Sequence, residues 1–140
     1  MSQYFVSEDI ILKDYVIVTD ATADLTPELA LENSIEVIPM EFNIGEEDYF
    51  HYPDAREYPM SRFYERLKNG ETAKTSQINR LVYYSTFEEA LKQGKDVLYL
   101  AFSSALSGSC SSAMAVAQEL NEKYAPRRVV VVDTLCACGG

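Results

Sequence analysis

Tryptophan is absent from these 140 residues, and histidine occurs once, at position 51. A Ser–His–Asp hydrolase would have to use His51, yet no G-x-S-x-G elbow accompanies it. Cysteine is scarce. Cys110, Cys136 and Cys138 make an odd count, with neither a disulfide framework nor zinc-site spacing. A reducing compartment is the simplest setting, so a cytoplasmic protein is expected. No apolar run approaches the roughly 20 residues of a membrane-spanning helix. Residues 1–9 have no basic start and no apolar stretch, and do not read as a signal peptide. Basic residues are few: 12 Lys and Arg against 22 Asp and Glu, for a net charge of −10. Such a surface repels nucleic-acid phosphates and anionic membranes on average. Walker A and G-x-G-x-x-G fingerprints are also missing.

The rest of the composition is globular, with 47% apolar and 24% charged residues, enough for one domain with its own core. Tyr15-Val16-Ile17-Val18 reads as a buried strand running into Thr19-Asp20-Ala21-Thr22. Thr26-Pro27 opens a short helix as cap and first turn, with Leu25 placed to staple Ala30, and Asn33-Ser34 closes it. Residues 35–42 alternate like a second strand, and Pro39 marks an irregular or edge position. Residues 43–58 are acidic, aromatic and aperiodic, and read as a long loop. There His51 and the Glu46-Glu47-Asp48 run are expected to be solvated. Met60, Phe63, Tyr64 and Leu67 mark one face of a helix that Asn69-Gly70 ends. Residues 74–77 read as a polar connector. Asn79 can cap a helix carrying Leu81, Tyr84, Phe87, Glu88 and Leu91, and Gly94 stops it. A third strand spans 96–102. Ala113, Val116, Ala117, Leu120 and Tyr124 form the stripe of the next helix, and a fourth strand, 129–132, ends in Asp133-Thr134.

This alternation predicts an α/β fold: a Rossmann-like open, mainly parallel sheet with helices on both faces. In such sheets ligands bind outside the carboxyl ends of the strands. Three strands end in polar clusters, Thr19-Asp20, Ser103-Ser104 and Asp133-Thr134, and parallel strands would turn all three toward one crevice. The densest signal is residues 97–109, where an apolar run stops at two serines and a Ser/Gly turn opens a helix. Backbone N–H groups and the helix dipole attract an anion there. No lysine or arginine lies in the turn, which suits a single carboxylate better than a triphosphate. Taken singly, Ser103, Ser104 and Ser107 serve equally as cap and turn serines, and Gly108 as a tight-turn residue. Thr75-Ser76 alone could be an ordinary polar loop, and Asp20 and Asp133 turn residues. Tyr83-Tyr84 and residues 49–52 could line an acyl tunnel, or simply pack the core. Cys110 reads as a small filler.

Residues 19–25, Thr-Asp-Ala-Thr-Ala-Asp-Leu, resemble the T-D-S-T-A-D-L signature of DegV proteins. Lys74-Thr75-Ser76-Gln77 is similar to their T-S-Q-P motif. Residues 103–109 resemble their S-S-x-L-S-G-T turn, and Val132-Asp133-Thr134 their V-D-S strand end. The four motifs fall in order within residues 15–140. The resemblance implies a division into an N-terminal extension, 1–14, and the N-terminal α/β domain of a two-domain fatty-acid-binding protein, 15–140. The chain would then be truncated before a second, lipid-binding domain. The end of the chain just past a strand, at Cys136-Ala137-Cys138-Gly139-Gly140, fits that expectation.

The resemblance also implies a ligand, a long-chain fatty acid. Its carboxylate would be held by Thr75, Ser76, Ser103, Ser104, Ser107 and Gly108, and its tail would enter an apolar tunnel between domains. Asp20, Thr22 and Asp133 would line or brace the crevice. No cofactor, metal or catalysis is expected of such a carrier. Some family members present the carboxylate to a separate ATP-using subunit of a fatty-acid kinase. Three departures stand out: Ala21 replaces the usual serine, Ile78 the proline, and Ser109-Cys110 the common Thr-Tyr. Two other readings stay open. One is an α/β enzyme acting on a small phosphorylated or acidic metabolite, with Mg²⁺ held by Asp20, Asp24 and Asp133. The other is an interaction domain that works only with a partner.

Overall fold

The β-branched and aliphatic runs of the sequence build one parallel sheet. A computed structural model describes residues 14–138. The expected N-terminal extension lies outside the described residues but for its last position. In chain order the elements are β1 (Tyr15–Asp20), a 3₁₀ turn (Ala21–Ala23), α1 (Pro27–Glu32), β2 (Ile35–Ile38), β3 (Met40–Ile44) and β4 (Glu47–His51). They continue with α2 (Met60–Lys68), β5 (Ala73–Thr75), α3 (Arg80–Lys92), β6 (Asp96–Ala101), α4 (Ser109–Lys123) and β7 (Val129–Asp133).

Four parallel strands pair in the order β2-β1-β6-β7. From β1 the chain first goes outward to β2. It later returns to β1's other side as β6. The carboxyl ends of β1 and β6 therefore frame the switch point where open α/β sheets place ligands. Strand alternation sends Val97, Tyr99 and Ala101 of β6 into the core, where they meet Phe87 and Leu91 of α3 and Val116 and Leu120 of α4. α1 packs beside β2, while α4 packs against β7 and β6. The predicted caps hold: the Thr26 and Asn79 side chains accept from the N–H groups of Leu29 and Leu81.

Four expectations are corrected. Residues 43–58 are not a loop throughout. β3 and β4 form an antiparallel hairpin around Gly45-Glu46, where Gly45 has φ of 65°, as a two-residue turn requires. The expected strand 35–42 is two strands, broken at Pro39, which cannot donate to a ladder. The polar connector 74–77 begins as β5, which joins β3 and completes a second sheet, β4-β3-β5. Phe42, Ile44 and Tyr58 form its small core, closed by Phe63 and Leu67 of α2. Alternation is hard to read here because each strand has only five residues and an aromatic, Phe50, faces outward at 43% exposure. The stripe of α3 is also rotated. Tyr83, Phe87, Ala90 and Leu91 are buried, while Leu81 is 75% exposed.

Candidate functional site

The site begins with how the strands end. Thr19 donates its hydroxyl proton to the carbonyl of Leu100, and Thr134 to that of Ala101, so β1, β6 and β7 are pinned together at their carboxyl edge. Beyond that edge lies a crevice of about 370 Å³, within the range of about 300–1,000 Å³ usual for small-molecule sites. Asp20 and Thr22 line it from β1 and the 3₁₀ turn. Thr75, Ser76 and Gln77 come from the end of β5, and Ser107 and Ser109 from the start of α4. Phe102, Leu106, Met40 and Ile78 supply its apolar wall. Among the described residues no lysine or arginine lines it, so hydroxyls, an amide and backbone N–H groups are its donors.

Of the residues singled out from the sequence, Asp20, Thr22, Thr75, Ser76 and Ser107 meet in this crevice. Thr75 is carried there by its pairing opposite Phe42 of β3, and the Ser76 N–H is tied to the Glu41 carbonyl at 3.1 Å. Ser107 Oγ accepts from the Ser109 N–H at 3.2 Å and lies 3.0 Å from Ser109 Oγ. Gly108 precedes α4 with an ordinary φ, so its role is close approach. A Cβ there would sit 3.1 Å from Gln77 Nε2. The Gln77 side chain, just past β5, thus packs closely against the turn before α4.

Ser103, Ser104 and Asp133 lie behind the crevice instead of along it. Buried Ser103 braces the turn: its carbonyl accepts from the N–H groups of Leu106 and Ser107, and its Oγ from that of Ala105. Asp133 accepts from the N–H groups of Ser104 and Leu135. Bonds to Ser104 and to the Leu135 N–H hold the Asp133 carboxyl below the usual carboxylate range. Asp20 is 1% exposed and accepts three donors: the Thr22 N–H at 2.9 Å, the Thr22 hydroxyl, and the Tyr99 hydroxyl at 2.5 Å. Burial, and then the charge of Asp20, raise Tyr99 far above the usual tyrosine range.

Sequence reasoning missed Gln77, Ser109 and Tyr99 at this site, and of its two readings of Tyr83, tunnel lining or core, the structure has the core. Gln77 stood in the quoted Thr75-Ser76-Gln77 motif. Tyr99 is 79 positions from Asp20, and no local pattern joins them. His51 was also misplaced. It lies partly buried at the end of β4 and lines an apolar pocket of about 210 Å³ with Met40, Phe42, Met60, Phe63, Ala21 and Thr75. Met40 and Thr75 border both spaces, so a hydroxyl-lined crevice adjoins an apolar pocket through two shared residues. Among the described residues no three His, Cys, Asp or Glu side chains cluster as metal ligands, and no helix is long and apolar enough to cross a membrane.

Similar proteins are found in bacteria. A DegV domain-containing protein of Clostridium perfringens is 40% identical over 129 residues, which is 92% of this chain and 44% of that protein. One of Lactococcus lactis is 36% identical over 126 residues, 90% of this chain and 43% of that protein. The chain thus spans less than half the length of these relatives. Among solved structures, a fatty-acid-binding DegV family protein from Thermus thermophilus superposes with a TM-score of 0.75 at 31% identity, over 90% of this chain and 42% of that one. A stearic-acid-binding protein from Eubacterium ventriosum gives 0.74 at 25% identity, over 85% and 41%. The family model described as "Uncharacterised protein, DegV family" matches residues 14–140, and the chain belongs to the DegV family.

Proposed function

We propose that this chain is a non-catalytic fatty-acid-binding domain. The observation that carries the reading is the junction at Met40 and Thr75, where a hydroxyl-lined crevice without basic residues adjoins an apolar pocket. A fatty acid needs both halves: donors for one carboxylate and an unwetted path for methylenes, each worth about 0.8 kcal/mol when buried. Thr75, Ser76 and Ser107 donate hydroxyl protons to the carboxylate, and the amino end of α4 adds its positive dipole. Ser103, Ser104 and Gly108 hold the shape of the turn, Asp133 anchors it, and Asp20 with Thr22 builds the opposite wall. Solved relatives reported to bind fatty acids support the reading.

The tail starts toward Phe42, Met60 and Phe63 and is completed by the further domain that the relatives' greater length implies. The carrier works in the cytoplasm and presents its ligand's carboxylate to an ATP-dependent fatty-acid kinase subunit. Because Asp20 already accepts three donors, it is a poor choice for the Mg²⁺ ligand or base of the competing enzyme reading. Mass spectrometry of lipid extracted from the purified full-length protein tests the proposal. About one fatty acid per chain is expected. Protein that carries none and takes none up overturns it.

A further inference from the structure

One wall of the crevice carries a buried acceptor group. Asp20 is 1% exposed and lines the space beside Thr22. Its Oδ2 accepts from the Tyr99 hydroxyl at 2.5 Å, and its Oδ1 from the Thr22 N–H and the Thr22 hydroxyl. The Tyr83 and Tyr99 hydroxyls lie 3.1 Å apart. Tyr99 gives its single proton to Asp20, so Tyr83 donates to Tyr99. Every proton in this network runs toward Asp20, which only accepts. Thr22 has also committed its proton, and its oxygen is left with lone pairs alone. The β5 side of the crevice is the opposite. Thr75 and Ser76 bring hydroxyls and Gln77 an amide, all of them groups that can donate. The crevice therefore gives hydrogen bonds on one side and takes them on the other.

A carboxylate accepts at both oxygens. It suits the β5 side, but toward Asp20 and Thr22 it meets a second negative group and an oxygen with no proton to give. Two carboxyl groups sharing one site do not readily stay ionised together. We propose that the fatty acid takes up one proton as it enters the crevice: one carboxyl oxygen accepts from Thr75 and Ser76, and the other, protonated, donates to Thr22, whose own proton is on Asp20. The proposal rests on the fatty-acid reading above and specifies the form of the headgroup. R–COO⁻ and one H⁺ from solvent become R–COOH, and only that O–H bond forms. Hydrogen bonds to a charged carboxyl favour its charged form. Asp20 already accepts three, so the added proton goes to the ligand. The other titratable groups near Asp20 do not compete for it. Burial raises Tyr99 of β6, Tyr83 of α3 and Cys110 of α4, so all three are already protonated at neutral pH. From β5 only Thr75, Ser76 and Gln77 reach the crevice, and none of them titrates. Asp133, behind the crevice, is tied to the Ser104 and Leu135 N–H groups.

The test is calorimetric titration of the full-length protein with dodecanoic acid, kept monomeric, in two buffers of different ionisation enthalpy. Close to one proton should be taken up per ligand at about pH 6.5, and affinity should fall by up to about tenfold per unit as pH rises toward about 8.5. Methyl dodecanoate keeps the tail and cannot ionise, so its affinity should not change with pH. Asp20→Asn keeps the shape and removes the charge. At about pH 8.5 it should bind dodecanoic acid more tightly than the wild type does, with the proton uptake gone. Wild-type binding without proton uptake overturns the proposal, and so does a folded Asp20→Asn that keeps it. If Asp20→Asn fails to fold, Thr22→Val decides, because it removes only the accepting oxygen and leaves Asp20 its Tyr99 bond. At about pH 6.5 it should weaken dodecanoic acid about tenfold and the methyl ester less than about twofold. Equal losses for acid and ester overturn the proposal. A wild-type protein that binds no fatty acid at any pH overturns the functional reading itself, whereas binding without proton uptake overturns this proposal alone.

Discussion

Thr75 is the residue on which both spaces converge, since it borders the polar crevice and the apolar pocket. It is exposed. Thr75→Val keeps the shape and the strand preference of β5 while deleting one donor. Fatty-acid affinity measured by calorimetry should fall by about 1.5–3 kcal/mol, tenfold or more, with little change in Tm. Gly108 acts through contact instead. Its φ of −74° suits any residue, so Gly108→Ala should fold normally. The new Cβ would press on Gln77 at 3.1 Å and displace its amide from the crevice. Binding should weaken while Tm holds, and adding Gln77→Ala should cause no further loss if crowding is the cause. At this scale Thr75, Ser76 and Ser107 stood out only through the motif resemblance, since each alone reads as a loop, cap or turn residue, and the structure brings the three to one crevice. The hydroxyl bonds of Tyr83 and Tyr99 were unreadable, because a core tyrosine looks like any other core aromatic until its hydroxyl's partner is seen.

Among the elements, α3 and α4 are joined by more than apolar contact. Glu88 accepts from Lys92 on its own helix, and from Lys123 and Tyr124 at the end of α4. Lys123, then Lys92 and Tyr124, lower its carboxyl from 4.5 to about 2. A carboxyl lowered in the folded state adds stability that is fully present above its unfolded pKa, and that is lost as pH falls through the folded value. Stability of the helix pair should therefore decline as pH drops from 4.5 toward about 2. Glu88→Gln should melt lower at neutral pH and lose that part of the slope, as thermal melts across the range would show. The small sheet has its own clamp. Arg66 of α2 pairs twice with Glu71 and also reaches Glu47 of β4 and the Ile44 carbonyl at the hairpin. Arg66→Lys cannot reproduce the fork. Faster hydrogen exchange over residues 40–51 is expected in that variant, with β6 unaffected. The helices were legible from apolar spacing and caps. The hairpin was not, since its strands are short and stabilised by partners that lie far along the chain.

At the scale of the molecule, the sheet is covered unevenly. Val97, Tyr99 and Val129 face α3 and α4, whereas Val130 is 50% and Val132 41% exposed on the other side, beside partly buried Leu98 and Leu100. β7 is also an edge strand. Exposed contiguous apolar surface favours association. The 140-residue chain should self-associate in light scattering, and a Val130→Glu, Val132→Lys variant should be less associated without losing Tm. A variant that associates as before would place the contact elsewhere. By itself the sequence determined the parallel strands, the helix caps and the hydroxyl-bearing strand ends, because these follow from periods of two and 3.6 and from local hydrogen bonding. Only the tertiary structure decided that Ser103, Ser104 and Asp133 brace the turn from behind. It also decided that Gln77 closes on Gly108, and that Asp20 answers to Tyr99. Those outcomes depend on how strands far apart in the chain fall into register, and register is a property of the packed sheet that no local stretch encodes.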